Sequence, residues 1–361
     1  MKKSALIVTI VFVSLFGYTQ NSNEGSVVKY EINKRANYSE SLPVYYKIIC
    51  EQQYVSESEN IRISIINKNS YSSESSSINY SITKEPNFNP NEKHKNEVTV
   101  ESLPISETKN SNSYALIIGN EDYKSYQSGL NYEQNVEFAI NDSKLFKEIC
   151  NKTLGLPLEN IIYLENASFA KIKQAIAQIE LICKHSTVKP KLIFYYSGHG
   201  LPDEKTKIPY LIPVDVSGSN LEFAISLPEL YKSLTKYPTE KVIVVLDACF
   251  TGDARSSGLI SSRAVKVKPK QDILNGNIVV FNASSSDQPS KSFKEKGHGL
   301  FTYYFTQKII ESKGIITLME LDEYVVNNVP VKSVLINKCE QVPQTNVSNE
   351  IINEWKNWTL K

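Results

Sequence analysis

Apolar positions fall into two regimes along this chain. From residue 114 onward, short uninterrupted apolar runs alternate with stretches in which apolar residues recur every three or four positions. The runs are 114–119 (YALIIG), 160–164 (NIIYL), 191–196 (KLIFYY), 241–247 (KVIVVLD) and 277–283 (NIVVFNA). Runs of this length and composition predict strands buried on both faces. Two intervening stretches have helical spacing: 134–150, through Val136, Phe138, Ala139, Ile140, Leu145, Phe146 and Ile149, and 169–183, through Ile172, Ile176, Ile179 and Ile182. Strands alternating with helices predict an α/β domain built on a mostly parallel sheet covered on both faces. In such a sheet the ligand site lies beyond the carboxyl ends of the strands, so the residues just after each run carry the functional question.

The other regime is residues 20–85, which are polar and rich in Ser, Asn and Tyr. Three short runs there suit strands, 43–50 (PVYYKIIC), 60–66 (NIRISII) and 78–83 (INYSIT), separated by Ser/Asn/Glu clusters that read as turns. They predict a small β-rich module, with a loosely ordered spacer as the alternative because of the serine-rich run 70–77. Residues 86–112 read as a polar linker with one strand over 98–103. Ahead of the module, residues 1–19 combine Lys2 and Lys3, an apolar stretch and small residues at its end, the pattern of a secretory signal peptide. The stretch is shorter than the roughly 20 residues of a spanning helix. The expectation is export to the periplasm or outside the cell, with no membrane span in the mature form.

At 361 residues the chain has room for about two domains, and 41% hydrophobic with 22% charged residues is ordinary globular usage. Forty Lys and Arg against 39 Asp and Glu leave no excess to attract a polyanion, so nucleic acid is not an expected partner. Oligomeric state is not legible. Five cysteines (Cys50, Cys150, Cys183, Cys249, Cys339), none in a C-x-x-C pair, are too few and scattered for a disulfide framework.

Two strand ends carry residues capable of covalent chemistry. After KLIFYY comes Ser197-Gly198-His199-Gly200, and after KVIVVL comes Asp247-Ala248-Cys249-Phe250-Thr251-Gly252. A thiol is a nucleophile only as the thiolate, and a neighbouring imidazole can take its proton and later return it to a leaving amine. The two glycines predict close passage of a substrate backbone past His199. Cys150, Cys183, Cys339 and Cys50 read as small buried apolar groups, and His94, His185 and His298 as surface or satisfied core residues.

YYSGHG and LDACFTG, with YALIIGNEDY and AINDSKLF upstream and NASSSDQPS, HGLFTYYF and VPQT downstream, resemble the caspase-like cysteine peptidases, in their bacterial metacaspase and orthocaspase branch. The resemblance spans about residues 113–347. It implies a three-layer caspase-like sandwich, with Cys249 as nucleophile and His199 as general base and then acid. It also implies an oxyanion hole from the backbone N–H groups of Gly200 and Cys249. Members with this pattern cut after Arg or Lys, through acidic residues matching Asp142 and Asp247 with Ser197 beside them; carboxylates in a pocket favour a cation and repel an aspartate. Phe250 stands where many relatives have His. The acidic insertion that supplies calcium ligands in some metacaspases has no counterpart after His199, which argues against calcium activation, and the chemistry requires no cofactor and no metal.

Residues 251–275 hold Arg255, Arg263, Lys266, Lys268 and Lys270 among Ser and Gly, and look like the linker between the family's two catalytic portions. An enzyme that cuts after basic residues would process itself there. The organisation expected is thus a signal peptide (1–19), a β-rich module (20–85), a linker (86–112), a peptidase domain (113–349) and a tail (350–361). The expected function is cysteine endopeptidase on protein or peptide substrates with basic residues. The alternative from another class is a non-catalytic caspase-fold interaction module whose β-rich segment does the binding.

Overall fold

The computed structural model describes residues 61–64, 81–84, 103–130, 134–250, 273–285 and 288–361. The chain divides into a unit ending at His94 and a second spanning Lys95–Lys361. In the first, β1 (Ile61–Ser64) and β2 (Ser81–Lys84) pair antiparallel, within or beside the runs 60–66 and 78–83. The run 43–50, residues 1–19, and positions 98–102 of the expected linker strand lie outside the described residues, as do Cys50 and His94.

The second unit is built on six strands: β3 (Ser113–Gly119), β4 (Ile161–Glu165), β5 (Lys191–Ser197), β9 (Lys241–Asp247), β10 (Ile278–Asn282) and β13 (Gln344–Val347). Their order is β13-β10-β9-β5-β3-β4, with only β13 antiparallel. Alternate side chains go to opposite faces. Ala115, Ile117, Ile193, Tyr195, Ile243, Val245, Val279 and Phe281 pack on α1 (Ala139–Glu148), α4 (Leu300–Glu311) and α5 (Leu318–Asn337). Leu116, Ile118, Leu192, Phe194, Tyr196, Val242, Val244 and Leu246 pack on α2 (Phe169–His185) and α3 (Leu227–Leu234). The result is three layers, helix on sheet on helix.

The helix expected over 134–150 starts at Ala139 instead. Phe138 takes a left-handed conformation (φ 70°) that breaks helical continuity. The residues before it have other partners: Asn135 Oδ1 accepts the backbone N–H groups of Tyr123 (2.9 Å) and Lys124 (3.0 Å). Apolar spacing over 134–138 therefore reports burial of a loop, not a helix. α1 then approaches β3 closely, because a Cβ on Gly119 would collide with the Ser143 side chain and stand 2.7 Å from the carbonyl of Ala139.

A second, three-stranded antiparallel sheet follows His199: β6 (Gly200–Pro202), β7 (Pro209–Leu211) and β8 (Ile225–Ser226). A two-residue hairpin, β11 (Ser292–Phe293) and β12 (His298–Gly299), precedes α4. Two segments set apart by sequence close the core: Leu103 and the backbone of Ser106 and Asn110 pack on the turn after α1, and Trp355 and Leu360 are buried against α5 and its neighbours.

Candidate active site

Parallel pairing in register aligns three strand ends: Gly119 lies opposite Ser197, and Ser197 opposite Asp247. His199 and Cys249 follow two residues beyond the ends of adjacent strands, and Gly198 N–H donates to the carbonyl of Asp247 at 3.3 Å. Both are nearly buried, 3% and 4% exposed.

His199 is fixed at its backbone and at its ring. Its N–H donates to Tyr123 Oη (2.9 Å), and its carbonyl accepts from Tyr196 Oη (2.8 Å) and from the N–H of Ile212 (3.0 Å). Tyr123 in turn donates to the carbonyl of Ile212 (2.9 Å), and its ring lies 4.5 Å from the imidazole at 56°. Burial pushes both tyrosine pKa values up, so the phenols stay neutral and keep their protons for donation. Nε2 of His199 lies 2.7 Å from the carbonyl oxygen of Gln134. A carbonyl only accepts, so Nε2 carries the proton and the basic lone pair is on Nδ1.

The two glycines make room for the protein's own aromatic side chains. A Cβ on Gly198 would lie 2.6 Å from Tyr196 Oη and 3.0 Å from Tyr123 Oη; one on Gly200 would lie 2.5 Å from the Phe250 ring. The space that each missing side chain leaves is filled by the protein's own aromatic residues. Phe250, the residue after the candidate nucleophile, is 8% exposed and belongs to the core on the α2 and α3 side. Cys249 Sγ donates to the carbonyl of Gln288 at 3.8 Å, and Gln288 is anchored through its side chain to Val342 N–H (2.7 Å) and Glu340 (3.1 Å).

On the α1 and α4 side, Asp142 and Asp247 converge with no exposure to solvent. A Cβ on Gly299 would collide with Asp247 Oδ2 and lie 2.9 Å from Asp142 Oδ2, so both carboxylates crowd one backbone atom at the start of α4. Asp142 accepts from Gly299 N–H (3.0 and 3.1 Å), Ser197 Oγ (3.4 Å) and His298 Nδ1 (2.8 Å). Asp247 accepts from Ser290 Oγ (2.6 Å), Thr302 Oγ1 (2.7 Å) and Thr302 N–H (3.3 Å). Gly299, the residue that caps α4, has no side chain to cap with. Asp247 therefore caps that helix from a strand, and both carboxylates lie at the positive end of the helix dipole.

The structure thus brings together Cys249, His199, Gly200, Ser197, Asp142 and Asp247. Arg255, Arg263, Lys266, Lys268 and Lys270 lie outside the described residues. Cys150 and Cys183 are buried, with desolvation raising both thiol pKa values, Cys183 to about 11; Cys339 is half-buried and His185 exposed. Sequence reasoning gave no role to Tyr123, Gln134, Ser290, Thr302 or His298. Four of the five stand inside the motifs GNEDY, NASSSDQPS and HGLFTYYF, which was the available signal; Gln134 contributes only its carbonyl, and no side-chain pattern marks that.

The sequence matches the family model described as the caspase domain of Peptidase_C14 over residues 112–350. No curated protein matches it. Among solved structures, a structural-genomics protein from Geobacter sulfurreducens is similar at 16% identity and a TM-score of 0.48, covering 65% of this chain and 93% of that one. Caspase-1 from Spodoptera frugiperda is similar at 15% identity and a TM-score of 0.47, covering 66% of this chain and 90% of that one.

Proposed function

The chain belongs to the caspase-domain family of cysteine peptidases, and from that premise we propose that it is an endopeptidase cutting after Arg or Lys through Cys249 and His199. The observation that carries the reading is the register of β5 on β9, in which Ser197 faces Asp247 and the imidazole and thiol follow from neighbouring strands. The thiol proton passes to Nδ1 of His199 as sulfur adds to the scissile carbonyl carbon. Backbone N–H groups of Cys249 and Gly200 stabilise the oxyanion. The C–N bond then breaks, the amine leaves with the proton held by His199, and water hydrolyses the thioester to regenerate the thiol. None of these steps needs a cofactor.

Specificity for a basic residue rests on Asp142 and Asp247, two carboxyl groups gathered at one helix terminus with Ser197 alongside. Self-processing within 251–275 and export through residues 1–19 belong to the same proposal, carried by the sequence alone.

The test is hydrolysis of matched Arg-, Lys- and Asp-ended fluorogenic peptides by the mature protein and by Cys249→Ala, each with calcium and with chelator. Cleavage of Arg and Lys peptides by the thiol form alone, unaltered by chelator, is the expected result. Cleavage of the Asp peptide, or none by either protein after limited nicking of the 251–275 loop, would overturn it. Cys249→Ala protein that still cuts its own loop in pure form would remove self-processing from the proposal.

A further inference from the structure

The β11–β12 hairpin is tied to α1 and the segment entering it by several contacts, three of them from charged or amide side chains. Lys294 Nζ meets Glu137 Oε1 at 3.1 Å, Asn141 Nδ2 donates to the carbonyl of Gly297 at 3.3 Å, and His298 Nδ1 meets Asp142 Oδ1 at 2.8 Å. The first two are exposed and contribute little to stability. The third differs, because the Asp142 side chain is fully buried while that of His298 keeps 20% of its surface. The imidazole is the outer member of a pair whose inner member is a carboxylate assigned to bind the substrate's cation.

We infer that His298 is a specificity-determining residue: its imidazolium takes the electrostatic place of the substrate's basic side chain on Asp142, so that protonating His298 weakens capture of Arg- and Lys-ended peptides and deprotonating it restores capture. The inference rests on the reading of Asp142 and Asp247 as the cation-binding carboxylates. When neutral, His298 donates one hydrogen bond from Nδ1 and adds no positive charge beside the carboxylates. Once protonated, it compensates one of them, and a guanidinium or ammonium arriving nearby meets a like charge. Linkage makes the effect reciprocal, so bound substrate disfavours the imidazolium by the same factor.

Charged groups surround His298 on each side. Asp142 faces it from α1, and Asp247 stands beside it across Gly299. Lys294, Glu295 and Lys296 occupy the exposed turn before it, and Glu137, from the segment before α1, pairs with Lys294. Carboxylates and ammonium groups ordinarily change charge outside the range in which an imidazole does. Rate also depends on His199 as the base, so binding is the readout that isolates His298.

The experiment uses the full chain carrying Cys249→Ala, a fluorescently labelled Arg-ended peptide, and anisotropy from about pH 8 to about pH 5.5, spanning the histidine range. The dissociation constant is expected to rise about fivefold on acidification, the low end of typical coupling between sites. With His298→Gln added, which keeps a donor without a titrating charge, the constant should stay flat at the tight value. With His298→Lys added, permanently cationic, it should stay flat at the weak value. The same acid weakening in His298→Gln would overturn the inference, because loss of a merely structural contact cannot reproduce it. Failure of the Arg peptide to bind at any pH would overturn the carboxylate reading itself, and the inference with it.

Discussion

Strand β9 carries an ionisable side chain at each end, Lys241 where it enters the sheet and Asp247 where it leaves, and both are buried at 6% and 0% exposure. At the entry, Lys241 Nζ donates to the carbonyls of Thr359 and Lys361, closing the last residues of the chain over the bottom of the sheet. At the exit, Asp247 accepts from Ser290 and from Thr302, which arrive on the loop after β10 and on the first turn of α4. Both ends hydrogen-bond a buried ionisable group, as burial demands. They differ in what else converges there. The polypeptide leaves each parallel strand at its carboxyl end, so the segments after four strands bring Asp142, His199, Cys249, and Ser290 with His298 to one face, whereas the entry end gathers backbone oxygens. One end can vary its chemistry through its loops; the other can only hold.

The comparison breaks most sharply under substitution of the dyad. Cys249→Ala or His199→Ala should lower kcat/KM on an Arg-ended peptide by about 10⁴-fold, while Lys241→Met keeps it within about twofold. Equal losses at both ends, measured by steady-state hydrolysis, would show that the entry end is part of the machinery. Next comes Asp247→Asn, which keeps a cap for α4 but removes the charge. Its cost should appear as about a tenfold to hundredfold rise in KM for Arg-ended peptides with kcat little changed, because a buried charge partner is lost from recognition. A fall in kcat with constant KM would make Asp247 a purely structural cap.

A smaller effect sharpens the picture at the exit end. Tyr123→Phe removes the acceptor for His199 N–H and the donor to Ile212 while leaving the ring against the imidazole. Outer partners of this kind are worth about tenfold in activity, so kcat should fall by about that factor and thermal stability by only about 1 kcal/mol. A variant that loses stability but not kcat would assign Tyr123 to the fold alone.

These differences follow what was legible in the sequence. The parallel strands were readable to within a residue or so, because runs such as KVIVVLD are buried on both faces and have no competing period. His199 and Cys249 were readable because each follows such a run. The small sheet of β6 to β8 was not, since strands of two or three residues carry too few positions to show alternation. Gln134 was mistaken for helix because burial of a loop and the apolar face of a helix leave the same trace over five residues. His298 was read as an ordinary histidine because its partner Asp142 is 156 residues away in sequence. The glycines beside His199 were noticed for a missing Cβ, but the aromatic side chains that take up that space lie elsewhere in the sequence and left no local signal.

The entry end makes its own, weaker claim on pH. Burial is the larger cause and Lys191 the smaller by which the Lys241 pKa falls from 10.5 to about 8. The folded protein therefore holds this proton less tightly than the unfolded chain does. Between about pH 8 and about pH 10.5 the unfolded state binds more protons, so this group's contribution to stability rises with pH through that window and is at its least favourable below it. Lys241→Met abolishes the slope. It also removes the Lys241 donor from the backbone oxygens of Thr359 and Lys361, the latter keeping Thr359 Oγ1 at 2.9 Å, at a cost of about 1–3 kcal/mol that does not depend on pH. Urea unfolding of both proteins should find the wild type gaining on the variant as pH rises. The margin between them should shift by about 2 kcal/mol in favour of the wild type between about pH 7.5 and about pH 10. Titrations shared by both proteins cancel in the difference, so a margin that stays constant would mean that the paired carbonyls hold Lys241 charged through the whole range. The entry end would then be as firm an ion site as the exit, and what separates the two ends would be only the loops that reach them.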